Sequence, residues 1–123
     1  MLNKDGLPVA TAMGWFSGGA IPNQLHWVAA CPGYQGLGLG KAVTQRAVNV
    51  CARLCPNQPM WLSTQTGSHR AVLMYHKLGF NMAKSDMRLE EKSSYIQDYE
   101  RALEVLAGIY SPSDIGLLRA SAV

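Results

Sequence analysis

Apolar residues follow the two-residue period of strands in the first quarter of the chain and then switch to helical spacing. Met1 to Phe16 reads as the end of one strand, a Lys4-Asp5-Gly6 turn and a second strand, Leu7-Pro8-Val9-Ala10-Thr11-Ala12-Met13. The glycine-rich loop Ser17-Gly18-Gly19-Ala20 follows. Leu25 to Cys31 predicts another strand, ended by the turn pair Pro32-Gly33. Beyond it Leu39, Val43, Ala47, Val50, Cys51 and Leu54 fall on one helical face, with Lys41, Gln45, Arg46, Asn49 and Arg53 on the other and Pro56 as the stop. Met60 to Thr64 predicts a further strand. A second helix begins near Ser68, where Ala71, Met74, Tyr75 and Leu78 share a stripe; Gly79 stands where a helix end favours positive φ. Phe80 to Ala83 reads as a short strand and Ser94 to Tyr110 as an amphipathic helix. Ser111 to Ala120 reads as a turn with one short helical turn capped by Ser113 or Asp114. These elements define an α/β (α+β) fold class.

The run Gln35-Gly36-Leu37-Gly38-Leu39-Gly40-Lys41 lies where strand gives way to helix. Glycines at a helix start leave backbone N–H groups unpaired and unobstructed at the positive end of the helix dipole, an arrangement that binds anions. Two phosphate motifs fail on spacing. A dinucleotide fingerprint begun at Gly36 and Gly38 meets Lys41 instead of its third glycine. A P-loop ending at Gly40-Lys41 has Gln35 in place of its first glycine and Ala42 in place of the hydroxyl that would ligate magnesium. Gln35-x-x-Gly38-x-Gly40 fits instead a Q/R-x-x-G-x-G/A loop.

That strand, loop and helix, together with Ser68-His69-Arg70-Ala71-Val72-Leu73-Met74-Tyr75-His76-Lys77-Leu78-Gly79-Phe80, resemble the GNAT superfamily of acyl-CoA-dependent N-acetyltransferases. The resemblance covers Asp5 to Phe80. It implies a mixed, mostly antiparallel sheet flanked by helices, lacking the family's usual N-terminal strand and helix pair and carrying an extra C-terminal helix. Residues 1–84 would form the acyl-CoA-binding core, with 85–123 a helical extension in the same domain or against another subunit.

The resemblance also assigns roles. Acetyl-CoA would be the acyl donor, its pantetheine arm lying along Val28, Ala29 and Ala30 and its pyrophosphate held by the backbone N–H groups of Gly36, Leu37, Gly38, Leu39, Gly40 and Lys41. Ser68 stands where the family commonly has an asparagine bonded to the cofactor arm. Tyr75 would be the general acid toward the departing thiolate; the plain alternative is a core aromatic with a satisfied hydroxyl. His26, nine residues before Gln35, matches a histidine of the superfamily's arylalkylamine acetyltransferases and is a candidate general base, with a water chain as the alternative. Lys41, Arg46 and Arg70 are either partners of the remaining phosphate or solvated helix charges. The expected function is N-acetylation of an amine by direct attack on the thioester. A non-catalytic CoA-binding or assembly module and a generic phosphate-binding domain stay open beside it.

Composition narrows the partners. A net charge of +3 with no basic run interleaved with aromatics gives no case for nucleic acid, and no apolar run reaches membrane-span length. The first residues lack a signal-like apolar region, so a cytoplasmic location is expected. Cys51 and Cys55 lie one helical turn apart with no zinc ligand set, and the three cysteines read as reduced core thiols, with no metal. Sheet edges left open by the missing elements make a homo-oligomer a candidate arrangement.

Overall fold

The computed structural model describes residues 1–16, 23–84 and 95–123, which form two compact units, Met1–Leu62 and Ser63–Val123. The expected Ser17-Gly18-Gly19-Ala20 loop and the start of the helix at Ser94 lie outside the described residues.

In the first unit Asn3 sets the opening turn. Its side-chain oxygen accepts from the N–H groups of Asp5 and Leu7 at 3.0 and 2.9 Å, and Gly6 takes φ 80°. Asparagine closes such turns because its short amide mimics a backbone turn. Leu2 and Pro8 form an isolated bridge, so the following strand, β1 (Ala10–Trp15), starts later than the alternation from Leu7 suggested. Pro8 has no N–H for a ladder, which accounts for the late start. β1 pairs antiparallel with β2 (Asn23–Ala30), and β2 pairs parallel with β3 (Met60–Trp61), in the order β1-β2-β3. β3 is two residues long, where Met60 to Thr64 was expected, and meets only Asn23 and Gln24.

The helix between these two strands, α1 (Leu39–Leu54), has the predicted ends. Ala12 and Gly14 of β1 and Phe16 just beyond it line a groove of about 480 Å³ with Ala42, Val43, Arg46, Ala47 and Val50 of α1. Gly14 is the point of closest approach, since a Cβ there would sit 2.4 Å from Cys51 Sγ. The predicted apolar stripe is correct at Cys51 but not at Leu54, which is exposed. The stripe also omitted Thr44, which is fully buried with its hydroxyl unpartnered among the described residues. The cysteines are free: Cys51 is buried and Cys55 half-buried, but Cys31 is exposed and so is not the core thiol expected.

The second unit is helical. A 3-10 turn, Thr66–Ser68, leads into α2 (His69–Lys77), and Gly79 takes φ 94° where the chain leaves the helix. α3 (Tyr95–Ala107) buries Tyr99, Leu103 and Leu106, the i, i+4, i+7 pattern of a single apolar face. Their partners are Leu118 and Ile115 of α4 (Pro112–Ala120) and Val72 and Leu73 of α2. The face of α3 is therefore covered by its own chain. Ile109 lies past the helix and is exposed. α4 is longer than the single turn expected, and its cap is Ser111, not Ser113 or Asp114. Ser111 Oγ accepts from the Asp114 N–H at 3.2 Å and donates to Asp114 Oδ2 at 2.7 Å, with Pro112 at the first helical position. Phe80 to Ala83 is not a strand. Instead Met82 and Lys84 bracket Val123: the Val123 N–H donates to the Met82 carbonyl at 3.0 Å, and the Lys84 N–H to the Val123 carbonyl at 2.7 Å. No helix among the described residues is long and apolar enough to cross a membrane.

Candidate active site

The end of β2 and the start of α1 are held together through the intervening loop. After Ala30 a 3-10 turn at Pro32–Tyr34 reverses the chain, with the Tyr34 N–H on the Cys31 carbonyl at 2.8 Å. The Gln35 side-chain amide then donates to the Ala30 carbonyl at 3.4 Å, so its side chain ties the loop to the last residue of the strand. Gly36 and Gly38 take φ 79° and 77°, values that strain any residue with a Cβ.

Gly38 is the N-cap of α1, and no side chain caps the helix. The Ala42 N–H, at 3.0 Å from the Gly38 carbonyl, is the first donor of the ladder. Leu39, Gly40 and Lys41 therefore present N–H groups with no acceptor inside the helix, at the positive end of its dipole and with no acidic residue in the first turn. A Cβ built on Gly36 or Gly38 meets no atom within 4 Å, so the space in front of the loop is open. An anion with several acceptor oxygens fits this donor set.

β2 itself is irregular where the site residues lie. Thr11 faces Ala29 and Met13 faces His26, so Ala12 stands opposite both Trp27 and Val28: a β-bulge, with Trp27 at φ 52°. A bulge removes backbone groups from the ladder and re-aims the chain. On the other side of β2, Leu25 to Ala30 have no β3 partner among the described residues, because β3 pairs no further than Gln24. Among the described residues the backbone beside Val28, Ala29 and Ala30 thus has a strand-free edge, where the Ala30 carbonyl accepts from Gln35.

Cross-strand partners share a face of the sheet, so His26 lies with Met13 on the face away from Gly14 and Cys51. His26 is exposed, and its Nε2 is 2.6 Å from Gln24 Oε1. An amide oxygen accepts and does not donate, so this contact suits the tautomer with its proton on Nε2 and its lone pair on Nδ1.

The second unit carries Ser68 and Tyr75. Ser68 is exposed and does not cap α2. Tyr75 is half-buried, edge-on to Phe80 with ring centroids 6.1 Å apart, and burial pushes its phenol above the ordinary value of 10. Its hydroxyl makes no hydrogen bond to another described residue. The phenol keeps its proton at neutral pH and has a donor to spare.

The sequence model of the acetyltransferase (GNAT) family matches residues 1–80. The chain belongs to that family, whose members carry an acyltransferase-type function. No curated protein and no solved structure matches the chain. Two features of the site had no local signal in the sequence: the bulge at Trp27, a residue with no preference for positive φ, and the truncation of β3.

Proposed function

We propose that the protein is an acetyl-CoA-dependent N-acetyltransferase that works by direct attack of an amine on the thioester. The observation that carries this reading is the Gly36–Lys41 loop, with its two left-handed glycines, uncapped helix start and open front. Its N–H groups bind the pyrophosphate, and the pantetheine arm pairs with the strand-free edge of β2 beside Val28, Ala29 and Ala30. The amine nitrogen bonds to the thioester carbonyl carbon, forming a tetrahedral oxyanion stabilised by a backbone N–H of the Val28 to Ala30 segment. The carbon–sulfur bond then breaks. Tyr75 gives its proton to the CoA thiolate, and the proton of the amine passes to His26 Nδ1 or to water. Ser68 supports the arm through its hydroxyl. No covalent acyl-enzyme and no metal takes part.

Calorimetric titration tests the cradle. CoA binds more tightly than ADP if the pantetheine arm pairs with β2, and equal affinities would favour a generic phosphate site. Gly38→Val places a β-branched residue at φ 77° and abolishes CoA binding with the circular dichroism spectrum retained; normal binding by this variant would remove the loop from the site.

A further inference from the structure

The start of α2, next to Ser68, has no cap of its own, because the Ser68 side chain accepts no hydrogen bond from the helix. An uncapped first turn frays unless tertiary contacts hold it. Here those contacts come from residues past the family match, which spans residues 1–80. α3 lies against the Thr66–Ser68 turn, and the Tyr110 hydroxyl, at the junction of α3 and α4, donates to the His69 carbonyl. The rings of Tyr110 and His69 also meet edge-on, with centroids 6.4 Å apart.

Tyr110 is itself fixed from both sides. Its N–H donates to the Leu106 carbonyl at 2.8 Å as the chain leaves α3, and the next residue, Ser111, caps α4 through the Asp114 N–H. Burial pushes its phenol above the ordinary 10, with the Leu73 backbone opposing the rise and Asp114 adding to it, so the hydroxyl stays a donor at neutral pH. The His69 carbonyl, at the first residue of α2, has its ladder donor in the Leu73 N–H, four residues on. It does not need the phenol to be satisfied, and what the extra bond fixes is where the first turn of the helix sits.

We propose that Tyr110 is a positioning residue of the cofactor site: from the helical extension, its hydroxyl holds the first turn of α2 in the place from which Ser68 meets the pantetheine arm of acyl-CoA. This rests on the acyltransferase reading above and gives residues outside the family match a part in binding the acyl donor.

The test is calorimetric titration of CoA, and of ADP, which lacks the arm, into the wild-type protein, Tyr110→Phe, Ser68→Ala and the double variant, with thermal melting alongside. Tyr110→Phe keeps the ring against His69 and weakens CoA binding about threefold to tenfold, as expected for one lost hydrogen bond, while ADP affinity stays unchanged. Ser68→Ala, at an exposed position that caps nothing, also weakens CoA and not ADP, and the double variant binds CoA no more weakly than Ser68→Ala alone. A lower melting temperature with CoA affinity intact in Tyr110→Phe, an equal loss for CoA and ADP, or effects that add in the double variant would leave Tyr110 a packing role only and overturn the inference. Unchanged CoA affinity in Ser68→Ala, which leaves the core untouched, overturns it as well. A wild-type protein that binds CoA no more tightly than ADP strikes the acyltransferase reading itself, whereas arm-dependent binding that Tyr110→Phe leaves unaltered strikes this inference alone.

Discussion

Gly14→Ala probes the contact that seats α1, and hence its anion-binding end, on β1. The added Cβ would lie 2.4 Å from Cys51 Sγ, roughly 1 Å inside the separation at which heavy atoms touch. Cys51 is buried, so the sulfur has little room to retreat. Overpacking of this kind costs about 1–3 kcal/mol. The unfolded chain of the alanine variant has fewer states to lose, which returns about 0.4–1 kcal/mol. The expected net destabilisation is therefore about 1–2 kcal/mol. Cys51→Ala removes the sulfur and costs about 1 kcal/mol of buried contact. In the double variant the new Cβ enters the vacated space, so the double variant is no less stable than Cys51→Ala, and the coupling recovers most of the clash. All three tryptophans, Trp15, Trp27 and Trp61, lie in the Met1–Leu62 unit. Urea titration followed by tryptophan fluorescence thus reads the unit that holds the contact. An unperturbed midpoint in Gly14→Ala, or two single effects that simply add, would refute the close approach.

Further expectations concern Tyr75, Thr44 and Cys51. Because the Tyr75 hydroxyl has no partner among the described residues, Tyr75→Phe leaves the melting temperature and CoA affinity in place while lowering single-turnover acetylation on the order of 10²-fold; unchanged turnover would end its role as the acid. Only the protonated phenol donates, and burial holds it above 10, so the activity assigned to Tyr75 persists to pH 10 and declines beyond it; a decline centred below pH 10 would contradict that assignment. Thr44→Val replaces an unpartnered buried hydroxyl by a methyl of similar shape and raises stability by about 1–2 kcal/mol in urea titration; destabilisation would show that the hydroxyl is satisfied. Burial, with the neighbouring Cys55 adding to it, pushes the Cys51 thiol above its ordinary 9. The unfolded chain then loses this proton first, so the contribution is complete below pH 9 and is lost as pH rises through the folded value. The alkaline fall in urea midpoint should be shallower in Cys51→Ala, and an identical pH profile would exclude the thiol as its source.

What the sequence by itself determined are the features whose physics is local. A glycine run before an amphipathic stretch defines an uncapped helix start, and α1 begins and ends where Gly38 and the Cys55-Pro56 pair require. Gly79 ends the Tyr75 helix for the same reason, since left-handed backbone at a helix end selects glycine. The apolar stripe Tyr99, Leu103, Leu106 was legible as the face of a helix. Tertiary structure decided what covers it, namely α4 and α2 of the same chain, because periodicity records that a face is buried and not against what. Tertiary structure also decided that β3 stops after Trp61 and that Cys51 meets Gly14. The same holds for the candidate site. The anion cradle was readable from Gln35 to Lys41, whereas the bulge that puts Trp27 into left-handed backbone has no local signature. A strand accepts one extra residue only because the register on either side of it is held by the paired strand, and that pairing is long-range.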